Sequence, residues 1–254
     1  MRNKVPSWPI LIGLLAGLIL LWPGDSFAVT LPTLQIGLGE AQNPKQVSVL
    51  IEILLLFTVL SMAPAILLMM TSFTRLVIAF SFLRQAMGTQ QMPPTQIMIG
   101  LALFLTMFIM TPVFTEINTT AVKPYMAEQI NAEQALVEAA KPVRAFMFKQ
   151  TREKDLELFL SLAKTPKPKN KEEVATTVLI PAFMISELKT AFTIGFVLFL
   201  PFMIIDMVVA SILLSMGMMM LPPVMVSLPF KLLLFVLVDG WYLIVGSLVK
   251  SFGV

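Results

Sequence analysis

The chain has no cysteine and no histidine. That removes thiol nucleophiles, Cys/His zinc sites, haem attachment motifs and the commonest general base. With no disulfide to form, the sequence is silent on redox compartment. Charge is scarce as well: charged residues fill 13 % of 254 positions against 57 % hydrophobic, outside the usual range of a soluble domain. The net charge is only +3, with basic residues scattered or mixed with acids, so nothing here suits nucleic acid. No phosphate-binding loop, nucleophile elbow or metal-ligand cluster is present, and Asp206 and Asp239 stand in no aspartic-protease motif. The expectation is a protein that is not an enzyme and holds no cofactor or metal. Neither a repeat of fixed period nor the alternation of strands is found, which leaves an all-α membrane class.

Long apolar runs stand in place of these features. Residues 178–217 are almost wholly apolar yet carry Glu187, Lys189 and Asp206. As one helix the run would measure about 60 Å at ~1.5 Å per residue, against a hydrocarbon core about 30 Å thick. A charge facing lipid costs at least ~2.5 kcal/mol. The run therefore needs protein around it, either its own helices or copies of itself. Nineteen methionines and eighteen prolines supply adaptable apolar packing and helix bends.

Residues 1–28 have the parts of a secretory signal: Arg2 and Lys4, an apolar core from Ile10 to Trp22, and a small-residue cleavage site at Ser26-Phe27-Ala28. Cleavage is the expectation, with an uncleaved anchor as the alternative. Residues 29–46 then form a polar extracytoplasmic leader. A first helical hairpin follows over 47–114, with Pro64 expected to bend its overlong first arm and a cleaner span at 95–114. Residues 115–177 change character: mixed charges and helical spacing predict a small extracytoplasmic helical insert, closed by the Pro/Lys-rich linker 164–172. A second hairpin over 178–254 has arms at 178–217, kinked at Pro181 and Pro201, and at 228–249. The fold expected is membrane-associated helical hairpins with long Pro-kinked helices. Four passages from an external N-terminus put the insert and the C-terminus outside, with only weak support from the positions of Arg84 and Lys231.

Two features carry chemistry. Glu187, Lys189, Asp206, Lys231 and Asp239, with Glu52 and Arg75 in the first run, are ionisable groups within apolar sequence. They either pair across helices and subunits, or relay protons and ions in a transporter. Glu187 and Lys189 are two apart and so face different partners. Buried pairs add little net stability, but losing one partner costs ~3–5 kcal/mol. The second feature is Met216, Met218, Met219, Met220 and Met225 around Gly217 and Pro222-Pro223. Gly217 permits positive φ and the prolines lack N–H donors, so this is a non-helical turn. It forms either a deformable constriction or a Met-rich core turn; irregular backbone at membrane depth needs protein or a water-filled cavity around it.

The block PAFMISELKTAFTIGFVLFLPFMIIDMVVASILLSMGMMMLPPVMVSLPFKLLLFVLVDGW (181–241) resembles the FliP family of flagellar type III export-gate proteins. SFTRLVIAFSFLRQAMGTQQMPP (72–94) and FMFKQTREKDLELF (146–159) support the resemblance, which covers the mature chain. The signal sequence and the sizeable insert favour a flagellar member over the related SctR-type injectisome component. The resemblance implies a non-enzymatic, pore-forming core subunit. Several copies join FliQ and FliR, near FlhB and FlhA, in the inner membrane and flagellar basal body, with much of the complex on the periplasmic side. Unfolded flagellar subunits pass through its channel. Carried over by motif, Met218, Met219 and Met220 form the methionine ring that closes the pore, shaped by Gly217, Pro222 and Pro223. Glu187, Asp206 and Lys231 match charged motif positions and, with Lys189, Arg75 and Asp239, are expected as buried ionic assembly contacts. Phe146 and Phe159 are possible contacts of the external domain. An ion-coupled secondary transporter built on Asp206 and Glu187 is the competing function; it predicts inverted halves with matched broken helices, which the sequence lacks.

Overall fold

The computed structural model describes residues 44–89, 92–163, 168, 170–218 and 220–253, with side chains from residue 51 onward except 52 and 59. The signal segment 1–28 and most of the leader 29–46 lie outside the described residues, as do Met219, parts of the linker 164–172 and the side chain of Glu52. The chain divides into two units, Met1–Glu52 and Ile53–Val254. In the first, helix α1 (Pro44–Met69) begins. The second holds the rest of α1 and every later element, and no strand occurs among the described residues.

Helix α2 (Phe73–Ala86) buries Leu76, Ala79, Phe80, Leu83 and Ala86, a spacing that places one apolar stripe along one face. That stripe packs chiefly on α7 (Thr176–Ser215) and on α3 (Thr95–Ile117). The approach of α2 to α7 is close because Gly195 has no side chain: a Cβ there would stand 2.4 Å from the Phe82 ring. Phe82 in turn meets Phe192 and Phe199 edge-on. With α8 (Pro223–Leu237) and α9 (Gly240–Lys250), these helices enclose the larger core.

The break in the first apolar arm is not at Pro64. Pro64 lies inside α1, and the chain turns at residues 70–72, where the two helices meet at 66°. Thr71 accounts for the stop locally: its Oγ1 donates to the Leu68 carbonyl and accepts from the Phe73 N–H, a side-chain alternative to the helical ladder. Pro181 and Pro201 also lie inside one uninterrupted 40-residue helix, α7. The last arm, expected as one span, is two helices meeting at 66°. Its corner is Asp239 in the left-handed region (φ 51°), followed by Gly240, whose backbone lies against the Phe235 ring.

Helix α3 does not end where the polar insert begins. It runs through a π-turn at Asn118–Val122 into α4 (Lys123–Met126), making one helical rod over Thr95–Met126. Beyond a turn at Glu128 (φ 57°), Asn131 and Gln134 form a reciprocal capping box that starts α5 (Ala132–Gln150). Then come α6 (Glu153–Leu162) and a short 3-10 turn, Lys171–Glu173. Met147, Val174, Val178, Leu179 and Phe183 make a second core that seats the insert on the first turns of α7. Among the described residues, two helices, Thr95–Met126 and Thr176–Ser215, are long and apolar enough to cross a membrane; each bent pair taken as one span raises that to four.

Candidate functional site

The end of α7 explains the methionine turn. Gly217 adopts φ 75°; its N–H donates to Leu214 O and that of Met218 to Leu213 O, the paired bonds that terminate a helix through a left-handed glycine. Pro222 and Pro223 then open α8, where missing N–H groups cost nothing. Between these stops Met220 is 98 % exposed and Met218 44 %. Met216 and Met218 border an apolar groove of about 520 Å³ between α7 and α8, which Val209, Ile212 and Phe230 also line.

One charge cluster, with Lys231 buried and Asp206 part-buried, joins α7 to α8. Lys231 Nζ, on a side chain 3 % exposed, reaches Asp206 Oδ2 at 2.6 Å and Ala86 O at 3.3 Å. Ser227 Oγ donates to Asp206 Oδ1 at 2.5 Å. The ammonium therefore ties the hairpin to the final carbonyls of α2, where a cation also suits the helix dipole.

The second cluster centres on Arg75, almost fully buried. Its Nε donates to Glu187 Oε2 at 2.8 Å and its Nη2 to Oε1 at 2.5 Å, a two-pronged pair with a carboxylate that is wholly buried. The remaining donors reach Gln150 Oε1 at 2.9 Å and both the carbonyl and Oγ of Ser251 at 3.0 Å. The Phe252 ring lies 3.8 Å from the guanidinium carbon. One side chain thus joins α2, α5, α7 and the tail, with every ionic and polar valence engaged. Phe146 stacks between this site and the insert, meeting Phe252 and Phe183. Phe159 is half-buried against the insert core.

A third cluster sits one residue earlier on α7. Ser186 Oγ donates to Asp155 Oδ2 at 2.6 Å and accepts the Arg152 N–H at 3.0 Å, while Arg152 grips the same carboxylate at 2.7 and 2.9 Å. Burial pushes the Asp155 carboxyl up, but bonds from Ser186 and Arg152, then the charges of Arg152 and Lys154, hold it below its ordinary range. Sequence reasoning missed Asp155, Arg152, Ser186, Ser227, Gln150 and Ser251. The Arg-x-x-Asp spacing at 152–155 was the one local signal for this set. Lys189 and Asp239 are exposed and form no ion pair among the described residues. Nor does any group of three His, Cys, Asp or Glu among them come together as a metal site.

These elements define an all-helical protein with membrane-length apolar helices, braced by buried ion pairs beneath an exposed methionine turn. The chain belongs to the FliP family, whose profile matches residues 56–248. It is 58 % identical over 217 residues to the flagellar biosynthetic protein FliP of Bacillus subtilis (strain 168), covering 85 % of this chain and 98 % of that one. The flagellar biosynthetic protein FliP of Pectobacterium carotovorum is 55 % identical over 202 residues (80 % and 78 % covered). That of Aquifex aeolicus is 51 % identical over 224 residues (87 % and 92 %). By this membership the chain is a flagellar biosynthesis protein.

Proposed function

We propose that this chain is a pore-forming subunit of the flagellar type III export gate, with the 218–220 methionines as its seal. The observation that carries the reading is the methionine turn: a fixed helix stop leaves Met220 almost fully exposed and Met218 part-exposed. Several copies presenting such turns at one level form a ring of flexible apolar groups. An unfolded chain pushes such groups aside without breaking directional bonds, and an apolar constriction resists wetting by ions.

In this reading the buried pairs Arg75–Glu187 and Asp206–Lys231 hold the hairpins in register. Exposed Lys189 and Asp239 are left for neighbouring subunits. FliQ and FliR join the ring, FlhB and FlhA adjoin it, and the insert lies on the periplasmic side of the inner membrane. Replacing Met218, Met219 and Met220 with alanine should make the resting gate leak small solutes, read as dye or ion entry into cells, while complex levels stay normal. Unchanged permeability at normal complex levels refutes the seal.

A further inference from the structure

We propose that a basic groove on the insert, separate from the methionine turn, binds a carboxylate-rich stretch of a partner polypeptide. The groove encloses about 510 Å³ between α5 and residues 171–172; Lys141, Arg144, Phe148, Lys149, Lys171 and Glu172 line it. Four of these six side chains are cationic and one is acidic. Lys141 is partly neutralised by Glu138 at 2.6 Å. Lys149 and Lys171 have no ion pair among the described residues.

Arg144 sets the shape of the groove. Its guanidinium donates to Val174 O at 2.6 Å, to Thr176 Oγ1, and at longer range to the carbonyls of Lys171 and Glu172. These bonds to neutral acceptors fold the incoming chain against α5 and fix the groove wall. The Phe148 ring, 5.6 Å from the Arg144 guanidinium carbon, adds an apolar wall suited to the methylene groups of glutamate.

Position selects a peptide over a lipid headgroup. Arg144 holds Thr176, the first residue of α7, ten residues before Ser186, where the helix is still packed on the insert. At ~1.5 Å per residue the groove stands about 15 Å beyond that level. The exposed large apolar side chains of α7 cluster from Phe192 to Leu214, a stretch of about 30 Å at ~1.5 Å per residue that matches a bilayer core. The surplus length of the helix therefore falls at the end that carries the insert.

The test uses the full chain in a neutral detergent with a fluorescein-labelled deca-glutamate peptide, followed by fluorescence anisotropy. Binding should weaken with salt and fall at least about tenfold in Lys149→Glu/Lys171→Glu, a change of about 1.4 kcal/mol. Lys149→Gln/Lys171→Gln, milder on folding, should give a smaller loss in the same direction. Both variants should keep the wild-type thermal midpoint, because neither lysine supports the core. Failure of the wild type to bind the peptide overturns the proposal, as does an affinity that neither variant alters. Lysine-dependent capture of phosphatidylglycerol vesicles without peptide binding overturns it in favour of a headgroup site.

Discussion

Arg75 makes five side-chain hydrogen bonds, and its energetics are those of a buried ion pair. Its pairing with Glu187 is stabilising only relative to the broken pair. Glu187→Ala leaves a buried guanidinium without its counter-charge and should cost about 3–5 kcal/mol, whereas Arg75→Met/Glu187→Leu should recover much of the loss. Denaturant melts of the solubilised single and double variants check this; additive losses would show that the two residues do not act as a pair. Asp155 makes a different prediction. Its folded carboxyl titrates below the unfolded value of about 3.9, so its contribution is present above that pH and fades as pH falls through the folded value. Asp155→Asn should be less stable than wild type at neutral pH, with the gap closing in strong acid. A gap independent of pH would remove the carboxylate from the account. The charges themselves were legible as ionisable residues within apolar runs. Their partners were not, because Arg75 and Glu187 are separated by 112 positions and only the packed fold brings them together.

At the level of the helices, chain breaks followed local chemistry more than proline. Pro64, Pro181 and Pro201 all sit inside helices, while the turns fall at Thr71, Asp239 and Gly217. A proline removes one backbone bond and leaves the rest of the helical ladder in place. A left-handed residue redirects the whole chain. Gly217 between methionines and paired prolines was readable as such a stop; Asp239, with a Cβ and no turn motif around it, was not. Close helix approach was equally hidden, since nothing near Gly195 marks it as a contact point. Gly195→Val forces its side chain into the Phe82 ring and should destabilise by about 1–3 kcal/mol. An unchanged thermal midpoint would show that α2 and α7 can separate at no cost.

Over the whole molecule, apolar surface is left uncovered on a large scale. Leu54, Phe57 and Leu60 on α1, Phe196 and Ile204 on α7, and Leu233 and Val236 on α8 are all exposed. Of these, α7 is long and apolar enough to cross a membrane by itself, α1 and α8 only as halves of bent pairs, and α7 is too long to meet lipid alone. The all-α hairpin class was legible from apolar run length. The seating of the insert on α7 was not, because its Ser186–Asp155 contact joins positions 31 apart, marked locally only by Arg-x-x-Asp at 152–155. The tail is the other long-range tie. Ending the chain after Lys250 removes Ser251 and the Phe252 ring from Arg75 and should cost at least about 3 kcal/mol. Hydrogen exchange should then rise together in α2, α5 and α9; unchanged protection would mean the tail is dispensable.

That tie also sets an order of events during synthesis. Arg75 and its Ser251 partner are separated by 176 positions, so Ser251 is made long after the guanidinium it meets. Until Ser251 has emerged, Glu187 and Gln150 are the hydrogen-bonding side chains already available to hold that guanidinium. The helices can insert and pair as they emerge, but the Arg75 site is completed only when residues 251–252 reach it. A nascent chain stalled before residue 251 is held open at a buried charge.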